Sequence, residues 1–108
     1  MRVTEEGRLK DACKKLFEAN GFYYRSVTVG YVPGRTNPSA GIPDCVCLKL
    51  GRTQSPVFWV EFKTPKGRLS KEQETFIFEW TSRGGLVFVV RSIEECAEVI
   101  RKVNLLAR

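Results

Sequence analysis

Histidine is absent from this 108-residue chain, and that single absence excludes a great deal of chemistry. A Ser-His-Asp triad, a histidine-ligated zinc hydrolase or a nuclease with an imidazole base cannot be built from it. Long apolar runs are missing as well. The longest clean one is Leu86 to Val90, far short of the roughly 20 residues of a membrane-spanning helix. Met1 to Gly7 is polar and acidic, without the apolar core of a signal peptide. Glycine and proline number only 9 and 5, which argues against collagen-like and low-complexity chains. The four cysteines, Cys13, Cys45, Cys47 and Cys96, form no Cys-x-x-Cys pair. They read as small buried hydrophobes in a reducing cytosol, not as zinc ligands or disulfides. A cytoplasmic protein is expected.

What is present fits one globular domain, spanning 1–108. Hydrophobic residues make up 43% and charged residues 28%, enough to bury one core and too little for two. Lysine and arginine total 18 against 12 acidic residues, a net charge of +6. That balance favours a polyanionic partner, nucleic acid ahead of an anionic membrane.

Periodicity then lays out the elements. Leu9, Ala12, Cys13, Leu16 and Phe17 recur at helical spacing before Gly21, which predicts a helix from Thr4 to Asn20. Tyr23 to Tyr31 reads as a strand, and Pro33 to Gly41 as a loop. Strands are expected over Cys45 to Leu50 and Val57 to Lys63. Ser70 and Gln73 fit a capping box opening a helix to about Ser82, closed by Gly84-Gly85. Leu86 to Arg91 reads as a strand buried on both faces. A second capping box, Ser92 to Glu95, opens a last helix with Cys96, Val99, Ile100 and Val103 on one side. The order αβββαβα predicts an α/β fold, one mixed sheet flanked by helices.

The third predicted strand carries the unusual residues. Alternation sets Val57, Trp59, Glu61 and Lys63 on one face and Phe58, Val60 and Phe62 on the other. Glu61 and Lys63 are thus neighbours roughly 6.6 Å apart along the strand. A solvated ion pair at a strand end would explain them if they stood alone. Asp44, however, opens the preceding strand, and a hairpin would bring it toward Glu61. Two adjacent carboxylates repel unless a cation holds them. Without histidine or organised thiolates, oxygen donors suit a hard ion, Mg2+ or Mn2+. Metal, lysine and basic surface together point to phosphodiester hydrolysis.

These residues resemble a known family. Pro43-Asp44 followed by Glu61-Phe62-Lys63 is similar to the PD-(D/E)XK nuclease signature. The wider set, Gly41-Ile42-Pro43-Asp44, Glu61-Phe62-Lys63, Gly67-Arg68-Leu69-Ser70 and Gln73, resembles the virus-type replication-repair nuclease (VRR-NUC) branch. The likeness runs from the first helix to the Ser92–Glu95 segment, and the αβββαβ order matches that fold's restriction-endonuclease-like core.

The resemblance implies a metal-dependent endonuclease acting on branched DNA, four-way junctions included. It implies Asp44 and Glu61 as direct metal ligands with the Phe62 carbonyl, and Lys63 positioning the nucleophile or stabilising charge. A helix-borne acid, Glu6 with Glu5 as the other choice, would bind the metal directly or through water. Gln73 has two readings, active-site residue and helix cap, which are compatible. Arg35, Lys66, Arg68 and Lys71 are expected to contact phosphates. Phage or bacterial cytoplasm and a homodimer are also implied. An outward Phe78, opposite the face of Gln73, Phe76, Ile77 and Trp80, suits such an interface. The competing reading is a DNA-binding module that keeps the fold without cleaving.

Overall fold

Among the residues described by the computed structural model, 4–27 and 40–108, the chain runs α1 (Glu5–Ala19), β1 (Tyr23–Ser26), β2 (Cys45–Leu48), β3 (Val57–Phe62), α2 (Lys71–Thr81), β4 (Leu86–Val90) and α3 (Ile93–Leu106). The expected order is therefore the observed one. Helix α1 begins where the Thr4 hydroxyl accepts a hydrogen bond from the Gly7 amide at 3.0 Å. Glu5 and Glu6 fill its first turn, next to amides that lack helical partners. It ends where the Asn20 side chain donates to the Leu16 carbonyl and Gly21 takes a φ of 79°, the left-handed geometry that glycine adopts without a Cβ clash.

The four strands form one sheet in the order β1-β2-β3-β4. β1, β2 and β3 pair antiparallel, and β4 lies parallel to β3. A parallel neighbour needs a crossover, which α2 supplies. The core lies on one side of the sheet. Phe58, Val60 and Phe62 of β3 are fully buried there, with Cys45 and Cys47 of β2 beside them. Against them pack Cys13 and Phe17 of α1 and Cys96, Val99, Ile100 and Val103 of α3. Phe17 meets the rings of Phe22, Tyr24 and Phe58 at 5.4, 6.1 and 5.9 Å. All four cysteines are buried free thiols, as their apolar settings led one to expect.

The other side is thinner. Trp59 meets Phe76 and Trp80 edge-on at 5.6 and 5.9 Å, and those two rings stack at 5.8 Å. No residue of α2 is fully buried.

Several sequence expectations shift in detail. β4 was expected to be buried on both faces, yet Leu86 to Val89 are only half-buried and Val90 alone is fully enclosed. β4 is an edge strand, and α2 covers its second face loosely. Ala12, grouped with the inward residues of α1, is exposed; a single methyl at the rim of an apolar stripe costs little in water. β2 and β3 stop at Leu48 and Phe62, although the Lys63 amide still donates to the Val90 carbonyl at 3.1 Å. Of the first expected strand, Tyr23–Ser26 pairs with β2, and its far end at 28–31 lies outside the described residues. At α3 the Ser92 hydroxyl accepts from Glu95, but the Glu95 carboxylate accepts from the Arg91 amide, one residue before the cap.

Candidate active site

Asp44 precedes β2, and the β2–β3 register, with Cys45 opposite Val60, carries it to the position facing Glu61. One Asp44 oxygen accepts the Phe62 amide at 2.8 Å, which fixes the carboxylate against β3. Asp44 and Glu61 thus face each other across the strand pair. Glu61 is 4% exposed, and among the described residues it is the one charged side chain buried in the interior. Its carboxyl is pushed up to about 8. Burial is the main cause, the charge and hydrogen bond of Asp44 come next, and the Lys63 ammonium pulls the other way. A carboxyl this reluctant to ionise beside a second carboxylate is stabilised by any cation that reaches both.

Gln73 caps α2 and also contacts Glu61. Its side-chain oxygen accepts the Ser70 amide at 2.8 Å while its own amide donates to the Ser70 hydroxyl at 3.1 Å, a complete capping box. Its side-chain nitrogen donates to Glu61 at 3.1 Å. Because the cap consumes the oxygen, the NH2 end must face the acid. One bifunctional amide joins the start of α2 to the end of β3.

The approach of α2 depends on Gly41. Its φ is 88°, and a Cβ there would collide with the Glu72 carbonyl. The segment leading into Asp44 can therefore lie against the first turn of α2 only without a side chain at this position.

From α1, Glu6 turns toward the site while Glu5 is exposed. Between Glu6 and Asp44 stands Lys10, its ammonium 3.1 Å from an Asp44 oxygen and 3.8 Å from a Glu6 oxygen. Burial alone would depress the Lys10 pKa, but Asp44, Glu6 and Glu61 together raise it. Sequence reasoning missed this residue. Its spacing of four from Glu6 puts the two on one side of α1, but nothing local announces the contact with Asp44.

Among the basic residues expected at phosphates, Lys66, Arg68 and Lys71 are exposed, and Arg35 lies outside the described residues. Lys66 and Arg68 sit on a turn held by Arg91, whose guanidinium donates to the Thr64 and Gly67 carbonyls at 2.9 and 2.6 Å. Arg91 was also unforeseen, because its partners are carbonyls, which leave no mark on side-chain spacing.

The acids gathered here offer only oxygen donors: the Asp44 and Glu61 carboxylates and, beyond Lys10, Glu6. Such donors fit a hard divalent ion and not a soft one. Among the described residues, no three His, Cys, Asp or Glu side chains already stand in ligating geometry. Asp44 faces Glu61, and Lys10 bridges Asp44 and Glu6.

Comparison with known proteins agrees with this architecture. The model of the VRR-NUC domain family matches residues 35–94, more than half of the chain. A solved structure described as a VRR-NUC domain superposes with a TM-score of 0.70 at 29% identity, covering 91% of this chain and 96% of that one. No curated protein matches the chain.

Proposed function

Since the chain belongs to the VRR-NUC domain family, and with it to nucleases of the PD-(D/E)XK type, we propose that it is a divalent-metal-dependent endonuclease cutting branched DNA, four-way junctions among its substrates. The observation that carries this reading is the meeting of Asp44 and Glu61 across the β2–β3 pair, with Gln73 bound to Glu61 and Lys63 following on the same face.

Asp44 and Glu61 would hold Mg2+, or Mn2+ in its place, with help from the Phe62 carbonyl; Glu6 would join them directly or through water. When bound, the ion supplies Lewis acidity and an activated water for in-line attack at phosphorus. Lys63 orients that water or balances charge developing on the phosphate. Gln73 fixes the Glu61 carboxylate, and its capping bonds prevent the amide from turning round. Arg35, Lys66, Arg68 and Lys71 contact phosphates flanking the cut, so binding is governed by backbone charge and falls steeply with salt.

A junction is roughly two-fold symmetric, and each chain has one such site. Paired incision calls for a homodimer, and Phe78, 72% exposed on the outer face of α2, is suited to a self-complementary apolar contact. Phe78→Asp is expected to give folded monomers that nick but no longer make paired cuts. Light scattering that finds wild type at the mass of one chain removes the dimer from the proposal.

The central test is nicking of a synthetic four-way junction and a linear duplex in Mg2+, Mn2+ and EDTA. Cleavage in either metal, lost in EDTA and in Asp44→Asn, is expected. Junction binding without any metal-dependent cut makes the chain a non-cleaving binding module. Equal cutting of both DNAs removes the branched-DNA preference alone.

A further inference from the structure

Lys10 has no part in the roles assigned above, yet among the described residues it is the cation paired with the acids of the site. Its ammonium touches Asp44 at 3.1 Å and Glu6 at 3.8 Å, so it bridges a strand-borne acid and a helix-borne one. It occupies a lone pair of the Asp44 oxygen that is free of the Phe62 amide, since that amide uses the other oxygen. Both oxygens of Asp44 are thus engaged, so an ion arriving at this carboxylate meets the lysine at one of them.

We propose that Lys10 is a tethered counter-ion of this site, holding Asp44 and Glu6 in place before a divalent ion arrives and competing with that ion for Asp44. The inference rests on the metal-binding reading given under Proposed function. Its physical basis is simple competition. An ammonium and a divalent ion cannot share one oxygen lone pair, and each raises the energy of the other at this range. The four-carbon stem lets the lysine withdraw without moving the helix backbone. The arrangement offsets the repulsion between Asp44 and Glu6 in the metal-free protein. In exchange it weakens the first binding of the metal.

The test is calorimetric titration of Mg2+ into DNA-free wild type, Lys10→Met and Lys10→Arg, with melting of each protein in EDTA and in saturating Mg2+. Lys10→Met removes the competing charge while keeping the apolar stem. It is expected to bind Mg2+ about fivefold tighter or more, to melt lower than wild type in EDTA, and to gain more from Mg2+. Lys10→Arg keeps the charge and is expected to bind close to wild type. A purely structural lysine would lower melting equally with and without metal and leave the affinity unchanged; that result overturns the proposal. So does Lys10→Met binding Mg2+ more weakly than wild type. Should Lys10→Met fail to fold, Lys10→Gln carries the same comparison. Wild type that takes up no Mg2+ overturns both this inference and the metal reading beneath it, whereas binding abolished by Asp44→Asn but unaltered at Lys10 overturns the inference alone.

Discussion

The two faces of the sheet differ in what they are built from. On one, Phe58, Val60 and Phe62 meet α1 and α3 in a layer of fully buried apolar side chains and thiols. On the other, α2 contributes no fully buried residue, and aromatic contacts around Trp59 give way to Glu61, Gln73 and Asp44 at the strand ends. Stability is concentrated on the first face, which leaves the second free to bury a carboxyl beside another carboxylate. Such a pair weakens a fold, so it belongs where the core does not depend on it.

The largest expected difference between the faces is in activity. Glu61→Ala is expected to cut the rate of junction cleavage on the order of 10³-fold, while the metal-free protein melts no lower than wild type because a buried acid has been removed. Near-wild-type cleavage by this variant in Mg2+ contradicts the site. Phe17→Ala on the opposite face should show the converse. Loss of a fully buried ring in contact with three others should cost about 3–5 kcal/mol in urea denaturation. The small amount that remains folded should keep its metal requirement.

Gly41→Ala tests the seam between the site and α2. A Cβ would press on the Glu72 carbonyl at a backbone conformation that side chains avoid. A loss of about 1–3 kcal/mol is expected, together with slower cleavage, because Gln73 moves with the first turn of α2. Unchanged stability and rate would show that the loop and helix give way freely.

Stability against pH separates the faces more gently. Burial and Asp44 hold the Glu61 carboxyl at about 8, against an ordinary 4.5. Between those values the unfolded chain has released this proton and the folded protein retains it. The folded state therefore binds more protons, and metal-free stability falls as pH rises from about 4.5 to about 8, then levels off. Glu61→Gln is expected to flatten that slope in thermal melts in EDTA, and a slope identical to wild type would remove Glu61 as its source. The smallest effect belongs to the surface charges. Lys66→Gln is expected to weaken DNA binding modestly and lower the log–log salt slope by about one, with melting unchanged.

Much of this was legible beforehand, for reasons particular residues make plain. The inward stripe of α1, the capping residues Ser70 and Ser92, and the alternation along β3 depend on neighbours within a few positions. Asp44 opposite Glu61 was also within reach, because a short turn between two strands leaves few registers that keep Phe58, Val60 and Phe62 on one face. β4 was misjudged because its apolar run could not report that the strand lies at an edge. Lys10 and Arg91 escaped because their partners, Asp44 and the Thr64 and Gly67 carbonyls, are distant in the chain.

By itself the amino-acid sequence determined the element order, the single apolar core, the buried state of the cysteines and the oxygen-only character of the candidate site. These follow from periodicity and from side-chain inventory, which are local or additive properties. Tertiary structure decided the rest: that Gln73 serves the cap and Glu61 at once, that Lys10 stands between Glu6 and Asp44, and that α2 leaves its side of the sheet half-open. Those outcomes depend on where three elements meet, and the distances between them are set by packing across the whole sheet.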